Sequence, residues 1–259
     1  MFVILPTLNE VENVGRLMDE IHRHLAGQRH MICVVDDGST DGTVDSVRER
    51  IKIRPESVSL LQRKKDGIGC RRGAALRHGL QHAMRIDGFD VFVEMDGDLS
   101  HRPEELFTGI DLVRGGACNI AIASKYLTRS DVVERTSHRR AISRLSSLLS
   151  GVVLDRSIRD YSNGYRFYDR KAGQVAVSHR IKYGTPIYLS EVLALWLRSG
   201  LKVAEFPSIY IGRQEGSSKL KLSDVVEATY ALVDIGWRYR VAGFQPEAAS
   251  SERMASARH

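Results

Sequence analysis

Residues 31–51 read MICVVDDGSTDGTVDSVRERI, and this stretch decides the fold class. It opens with an apolar run rich in β-branched residues, Met31–Val35, that predicts a buried strand. A cluster of turn formers, Asp36–Thr43, then halts the strand and supplies capping side chains for an amphipathic helix predicted over Val44–Ile51. The stretch therefore predicts a strand, a turn and a helix in direct succession.

The same strand-and-helix unit recurs along the first half of the chain. Phe2–Leu5 predicts a strand, and apolar residues then recur at helical spacing from Val14 to Leu25. Further strands are predicted at Ser57–Leu61, Phe89–Met95 and Asn119–Ala123, and further helices at Gly73–Ala83 and from Pro103 onward. Alternating strands and helices predict a three-layer α/β/α fold with a mostly parallel central sheet.

The pattern changes after about residue 128. Arg129–Leu154 is basic, serine-rich and helical in period, and Ile158–Arg170 is dense in aromatic and polar residues. A helix at Glu191–Arg198, a strand at Val203–Ile211 and a helix at Leu222–Arg240 are predicted beyond them. We expect a single domain over residues 1–243, in which 129–243 extends the first part, and a disordered tail at 244–259.

The composition narrows the classes of partner. The 38 basic and 32 acidic residues give a net charge of +6, which suits phosphates or an anionic membrane surface. The basic residues form no nucleic-acid recognition motif and are not interleaved with stacking aromatics, so we expect no nucleic-acid partner. The three cysteines form no Cys-x-x-Cys pair, which argues against a disulfide framework or a zinc site and favours a cytoplasmic location. No apolar run reaches the roughly 18 residues of a spanning helix.

Two acidic clusters follow predicted strands. Asp36-Asp37 follows the second strand, and Asp96-Gly-Asp98 follows the fourth, with His101 shortly after it. Because the carboxyl ends of parallel strands share one edge of a sheet, we expect both clusters in one crevice. Two carboxylates at this spacing suit a divalent cation that meets a diphosphate, and Asp37 suits the donors of a ribose or base. Taken singly, each cluster is also compatible with an ordinary polar turn or a helix cap.

A glycine-rich stretch, Gly67-Ile68-Gly69, resembles a phosphate-binding loop. It lacks the Gly-Lys-Ser/Thr ending of a Walker loop, and it fails the pattern Gly-x-Gly-x-x-Gly because Gly73 falls one residue late. We therefore favour a structural turn. Lys64, Lys65 and the start of the next helix remain an alternative surface for an anion.

Six short motifs stand in a fixed order along residues 2–235. They are Pro6-Thr-Leu-Asn-Glu10, Val35-Asp-Asp-Gly-Ser-Thr-Asp41, Asp96-Gly-Asp-Leu-Ser-His101, Ser124-Lys-Tyr126, Asp160 with Gly164-Tyr-Arg166, and Arg213 with Ser218-Lys219. The set resembles family 2 glycosyltransferases, and it looks most like their dolichol-phosphate or polyprenyl-phosphate mannosyltransferase branch.

The resemblance implies a GT-A (Rossmann-like) fold, a nucleoside-diphosphate sugar as donor, Mg²⁺ or Mn²⁺ as cofactor, and inversion at the anomeric carbon. Residues 1–128 would bind the nucleotide sugar, and residues 129–243 would face the acceptor. The implied donor-binding residues are Pro6, Leu8, Glu10, Val35, Asp37, Asp96, Gly97, Asp98, Lys125, Arg213 and Lys219. The implied metal ligands are Asp96, Asp98 and Ser100.

The resemblance also assigns the acceptor side. Arg139 and Ser143 would face the acceptor phosphate, and the implied catalytic residues are Asp98, Arg139, Arg213 and Lys219. Lys125 departs from the family, which usually has arginine at this position, and lysine lacks the bidentate fork of a guanidinium.

The implied reaction moves a sugar, mannose from GDP-mannose, to a polyprenyl or dolichyl phosphate. A monophosphate has a second pKa of about 6, so near neutral pH it needs positioning and no general base. An alcohol acceptor would need a base, for which Asp98, Asp160 and Glu191 are candidates. Transfer to a non-lipid saccharide or alcohol, and nucleotide-sugar binding without turnover, remain alternatives.

Two neighbouring segments suit a membrane surface. Leu145–Leu154 is apolar and Arg135–Arg144 is basic, a combination that favours an anionic interface. Leu145, Leu148 and Leu149 also suit packing of a helix onto the sheet. We hypothesise peripheral attachment at the cytoplasmic face of a membrane, made directly or through a membrane-protein partner.

Overall fold

The structure, a computed structural model, describes residues 1–63, 72–127, 147–210 and 222–241. The glycine-rich stretch Gly67–Gly69, the basic segment Arg135–Arg144 and the expected tail at 244–259 lie outside these residues.

Strands and helices alternate through the first half of the described chain, as predicted. The strands are β1 (Phe2–Thr7), β2 (Met31–Asp36), β3 (Val58–Gln62), β4 (Val91–Glu94), β5 (Ile120–Ser124), β6 (Arg166–Asp169) and β7 (Val203–Pro207). The helices are α1 (Val11–His24), α2 (Thr43–Ile53), α3 (Arg72–Met84), α4 (Leu106–Arg114), α5 (Arg170–Ser178), α6 (Tyr188–Arg198) and α7 (Leu222–Gly236). A 3-10 turn (Pro103–Glu105) precedes α4, residues 147–153 are helical, and a π-helical turn (Trp237–Val241) continues α7.

The seven strands form one sheet in the order β3-β2-β1-β4-β6-β5-β7. The pairs β3-β2, β2-β1, β1-β4 and β5-β7 are parallel, whereas β6 runs antiparallel to both of its neighbours. Because β6 is antiparallel to β4 and to β5, those two strands run in the same direction. The prediction of a mostly parallel sheet between helices is therefore confirmed.

Three predictions of individual elements need correction. The sequence assigned no strand or helix within Ile158–Arg170, where the structure has β6, and none at α5. β6 has four residues, too few for a periodic pattern to be read, and the buried Arg166 at its start disguises it. The strand predicted at Val203–Ile211 ends at Pro207, which has no N–H to continue a ladder.

Alternate residues of β1 enter two separate cores. Phe2 and Ile4 pack with residues of α3, α5 and α6 on one face of the sheet, and Val3 and Leu5 pack with residues of α1 and α4 on the other. A sheet covered on both faces fixes the register of its strands, because a slip by one residue would exchange the two cores. The strand ends, and the loops that follow them, are positioned by this packing.

Candidate active site

The carboxyl ends of six strands meet at one edge of the sheet. β1, β2, β3, β4, β5 and β7 all point to this edge, and β6 begins there. The end of β1 lies between the two acidic clusters, since β1 pairs with β2 on one side and with β4 on the other. The Asp37 amide donates to the Thr7 carbonyl at 3.0 Å, and the Met95 amide donates to the Ile4 carbonyl at 3.2 Å. The structure thus brings both predicted clusters to one crevice.

The two aspartates of the first cluster have different environments. Asp36 is fully buried and accepts hydrogen bonds from the Gly38 and Ser39 amides, both at 2.9 Å, so it shapes the turn. Asp37 lies at the edge of the sheet and pairs with Arg63, which follows β3. Asp37 thus differs from Asp36 in facing the crevice, where its carboxylate meets a planar, multi-donor cation.

The loop after β1 is tied to the turn after β2. The Glu10 amide donates to Thr43 Oγ1 at 2.9 Å, and the Val11 amide donates to Asp41 Oδ2 at 3.0 Å. These bonds place Pro6, Leu8 and Glu10 at the same edge as Asp37. Asp41 serves the turn, because its Oδ1 also accepts from the Thr43 amide at 3.0 Å, but the N-cap of α2 is Gly42, without a side-chain cap hydrogen bond. Val35 differs from the other implied donor residues, because its side chain is buried in the core against α3.

The Asp96-Gly-Asp98 turn is built tightly against the end of β1. A Cβ at Gly97 would lie 3.0 Å from Thr7 Cγ2 and 3.3 Å from the Pro6 carbonyl oxygen, so glycine permits this close approach. Leu99 has φ of 61°, a left-handed conformation that a branched side chain rarely adopts. Next along the chain, the Ser100 amide donates to Asp98 Oδ1 at 3.1 Å.

His101 is hydrogen-bonded to the backbone of Asp96. Its Nδ1 accepts a hydrogen bond from the Asp96 amide at 3.1 Å, so the proton of the neutral ring is on Nε2, which lies 3.8 Å from Asp96 Oδ2. Burial lowers the pKa of His101, and the nearby Asp96 opposes that shift. The ring also stacks on Tyr165 with centroids 5.0 Å apart. His101 is thus a buried, neutral residue that orients Asp96.

Arg72 is a site residue that the sequence did not reveal. It is the first residue of α3, and its guanidinium pairs with Asp96. Gly164 makes room for it, because a Cβ at this position would lie 1.7 Å from Arg72 Nη2. Gly164 belongs to one of the six motifs, but the sequence alone does not show that Arg72 packs against it.

The start of α3 is occupied by the protein itself. The amides of Gly73 and Ala74 donate to the Gly184 carbonyl at 2.9 and 3.3 Å. A Cβ at Gly73 would lie 2.4 Å from Tyr188 Cβ, so the helix start is packed closely as well. These two amides do not form the anion-facing helix start that was kept as an alternative. Lys64 and Lys65 lie outside the described residues.

Lys125 is held in a turn at the end of β5. Its Nζ donates to Ser162 Oγ at 2.7 Å and lies 3.5 Å from Asp160 Oδ1, and its side chain is 4% exposed. Asp160 is fully buried and also accepts from the amides of Lys125, Ser162 and Asn163. Lysine in place of arginine thus lies in a compact site, where its ammonium contacts the Asp160 carboxylate and the Ser162 hydroxyl and lies 5.0 Å from the ring centroid of Tyr126.

Two of the three candidate bases are used structurally. Asp160 binds Lys125 and three backbone amides, as described above. Glu191 is fully buried, accepts from the amides of Lys182 and Tyr183 at 2.8 to 3.0 Å, and pairs with Arg238 at 2.9 Å. Of the three, Asp98 is the carboxylate at the crevice.

The second acidic cluster fits a divalent cation that is shared with a diphosphate. Asp96 and Asp98 provide two carboxylates, and Ser100 Oγ is buried without a hydrogen-bond partner among the described residues. Within the described residues, no site brings together three or more His, Cys, Asp or Glu side chains that could hold a metal ion by themselves. Mg²⁺ sites in phosphate-processing enzymes typically use one or two carboxylates and take the remaining oxygens from substrate and water.

Four implied residues lie outside the described ranges. These are Arg139, Ser143, Arg213 and Lys219, so their roles stay predictions. Inside the described ranges, Pro6 lies at the end of β1, and the loops at the same edge of the sheet contain Leu8, Glu10, Asp37, Asp96, Gly97, Asp98, Ser100 and Lys125.

Comparisons of the sequence identify relatives along most of the chain. The family model "Glycosyl transferase family 2" matches residues 2–174. Polyprenol monophosphomannose synthase of Mycolicibacterium smegmatis is 34% identical, over 92% of this chain and 88% of the relative. Undecaprenyl-phosphate mannosyltransferase of Micrococcus luteus is 31% identical, over 95% and 97% respectively. Dolichol-phosphate mannosyltransferase of Pyrococcus furiosus is 31% identical, over 87% of this chain and 60% of the relative.

Comparisons of the fold identify glycosyltransferases as well. Glucosyl-3-phosphoglycerate synthase from Mycobacterium tuberculosis, in complex with Mn²⁺, UDP and glucosyl-3-phosphoglycerate, has a TM-score of 0.62 at 16% identity, over 92% of this chain and 78% of that one. Its complex with Mn²⁺, UDP and phosphoglyceric acid has a TM-score of 0.64 at 16% identity, over 95% and 79%. The fold is GT-A, as predicted. With the family model matching two thirds of its length, the chain belongs to glycosyl transferase family 2 and is a glycosyltransferase.

Proposed function

We propose that this glycosyltransferase moves mannose from GDP-mannose to a polyprenyl phosphate, with inversion and with Mg²⁺ or Mn²⁺. The observation that carries the proposal is that three relatives, each at least 31% identical over most of this chain, are named for mannose transfer involving polyprenol, undecaprenyl phosphate or dolichol phosphate. The geometry of the sheet edge supports it, because acceptors for a nucleotide and carboxylates for a metal-diphosphate lie on either side of β1.

The donor would span the crevice from Asp37 to Asp98. Asp37 would accept from the ribose or base, and the loop after β1 would lie beneath the nucleotide. Asp96, Asp98 and Ser100 would hold the cation, which when bound neutralises charge that develops on the leaving diphosphate. His101 orients Asp96 through the amide contact at 3.1 Å, so the pair is preorganised.

The environments of the three candidate bases favour a phosphate acceptor over an alcohol acceptor. Transfer to an alcohol needs a general base, whereas an ionised phosphate needs only to be positioned. Asp160 and Glu191 are committed to backbone amides and to a cation, and Asp98 is assigned to the diphosphate side. Arg139 and Ser143 stay our predicted contacts to the acceptor phosphate, and Arg213 and Lys219 stay predicted donor-binding and catalytic residues.

An apolar surface supports a lipid-linked acceptor. Most of the exposed large apolar side chains in the described chain lie on residues 147–153 and on the final helix and its π-helical turn. They are Leu148, Leu149, Val152, Tyr230, Val233, Trp237 and Val241, which we call the apolar face. Its two parts touch, because Arg240 Nη1 donates to the Val152 and Val153 carbonyls at 3.1 and 2.8 Å.

The apolar face adjoins a cavity next to the site. The cavity has a volume of about 590 Å³ and is lined by Leu148, Val152 and Tyr126, the last of which follows Lys125. Arg156 and Arg159 line it too, and both are exposed. Apolar side chains bordered by arginines suit the interface of an anionic bilayer. No helix in the described ranges is long and apolar enough to cross a membrane.

We expect the protein to float with liposomes that contain anionic lipid. A Leu148→Asp/Trp237→Asp double variant should bind at least about tenfold more weakly, because burial of each side chain contributes about 1.5 to 3 kcal/mol. Ile53→Asp is the matched control, since Ile53 is exposed on α2 and lies outside the apolar face. Equal flotation of the double variant and the control would argue against this surface.

The acceptor class can be tested by comparing two lipids that differ in one group. We expect transfer from GDP-mannose to polyprenyl phosphate and none to the corresponding polyprenol, because the site offers positioning without a free base. Product extracted into organic solvent would be counted for each acceptor. Equal transfer to the alcohol would contradict the proposal of a phosphate acceptor. Asp98 would then be the candidate general base.

A further inference from the structure

We propose that Arg72 is a resident counter-cation for Asp96, which a divalent metal must displace and which the donor diphosphate then takes over. The inference rests on the proposed function for the identity of the metal site and of the diphosphate. It adds a residue that couples the two ligands, so that the protein binds metal weakly until nucleotide is present.

Asp96 already has a cationic partner. The Arg72 guanidinium pairs with Asp96 Oδ1, and the two side chains are only 22% and 17% exposed. The other close neighbour, His101, uses Nδ1 to accept from the Asp96 amide, and its Nε2 lies 3.8 Å from Asp96 Oδ2, farther than a hydrogen bond. Arg72 therefore supplies positive charge where a metal would bind to this carboxylate, and two cations at one partly buried carboxylate repel each other.

Arg72 is held in place at both its backbone and its side chain. Its backbone starts α3, and the next two amides are tied to the Gly184 carbonyl. Its side chain passes over Gly164, where any Cβ would overlap the guanidinium. The contact with Asp96 is thus built by two separate parts of the fold and is specific to this position.

Arg72 has a hydrogen-bond donor that the described residues leave unused. Its Nε is buried and makes no hydrogen bond to the residues that the structure describes. A guanidinium presents five donors in a fork that matches phosphate oxygens, so a diphosphate at the crevice offers it an alternative partner. Release of Asp96 to the metal and capture of the diphosphate by Arg72 would then occur together, and binding of each ligand would strengthen the other.

The test is Mn²⁺ binding, measured by the electron paramagnetic resonance signal of free Mn²⁺, with and without GDP. Without nucleotide, Arg72→Met should bind Mn²⁺ at least about tenfold more tightly than the unmodified protein. The same variant should bind GDP more weakly, and the gain in Mn²⁺ affinity caused by GDP should shrink. Arg72→Lys keeps a cation and should stay near the unmodified protein.

The opposite signs of the two effects separate this role from a structural one, because a damaged site would weaken both ligands. Arg72→Gln is a second uncharged variant that retains hydrogen-bond donors, and it should behave as Arg72→Met does. Arg85→Met removes the same charge from an exposed position just beyond α3 and should change neither affinity.

Unchanged or weaker Mn²⁺ binding by both uncharged variants would overturn the inference. If the unmodified protein bound no Mn²⁺ with or without GDP, the inference and the proposed metal site would both fail. If Mn²⁺ and GDP behaved as expected but no mannose were transferred, the inference would stand and the proposed acceptor would fail.

Discussion

Replacing Asp98 with asparagine is expected to lower kcat/KM for sugar transfer by about a thousandfold, the upper range seen when a group that stabilises transition-state charge is removed. Asp98 lies in the turn after β4, and its Oδ1 accepts the Ser100 amide at 3.1 Å. An asparagine oxygen can accept the same bond, so the turn should persist. The loss would come from the missing negative charge at the metal and diphosphate.

The measurement is the initial rate of label transfer to polyprenyl phosphate at saturating Mn²⁺. Asp111→Asn changes the same chemical group at an exposed position of α4 and should keep the rate within about twofold, as surface substitutions usually do. Thermal unfolding should show Asp98→Asn to be folded. Full metal-dependent turnover by Asp98→Asn would remove Asp98 from the mechanism.

Replacing Arg166 with methionine is expected to lower the free energy of unfolding by about 3 to 5 kcal/mol. Arg166 is fully buried at the start of β6, and burial lowers its pKa. Its three nitrogens donate to the carbonyls of Asn163, Leu189 and Tyr161 at 3.1, 2.6 and 3.2 Å. Methionine would leave all three carbonyls buried without this donor, and each such loss costs about 1 to 3 kcal/mol.

Arg166→Met would also remove the positive charge that faces the carboxylate of Glu94. This carboxylate is fully buried, stands opposite Arg166 in the β4-β6 register, and accepts from Tyr168 at 3.1 Å. Burial raises the pKa of Glu94, and the nearby Arg166 opposes the shift. Without Arg166 the folded state would hold Glu94 protonated, at a further cost that increases with pH.

Urea unfolding at neutral pH measures the effect. Arg198→Met, at the exposed end of α6, is the control and should stay within about 0.5 kcal/mol. The double variant Arg166→Met/Glu94→Gln should lose less free energy of unfolding than the two single variants lose together, because the two residues interact. A loss below about 1 kcal/mol for Arg166→Met would show that its three hydrogen bonds are not required for stability.

The position of the crevice could be predicted because the end of a strand is recognisable from a short stretch of sequence. Asp37 and Asp98 each follow an apolar run that is long enough to identify, and parallel strands bring such ends together. The three-layer α/β/α fold follows from the same alternation, whereas the GT-A fold was implied by the resemblance to the family. These predictions depend on residues that are neighbours along the chain.

Features that depend on distant residues could not be read in this way. Arg72 meets Asp96 only because α3 starts beside the Gly184 carbonyl and because Gly164 leaves space for the guanidinium. β6 was missed for a related reason. Its buried arginine is satisfied by carbonyls from Tyr161 to Leu189, a set that exists only in the folded chain.

The most direct test of the account is transfer itself. The purified protein would be incubated with Mg²⁺ or Mn²⁺, polyprenyl phosphate and a panel of radiolabelled nucleotide sugars, and label would be counted in the organic phase. We predict label from GDP-mannose that a chelator abolishes. Absence of organic-phase label from every donor, in a protein that binds GDP by calorimetry, would contradict the proposed reaction.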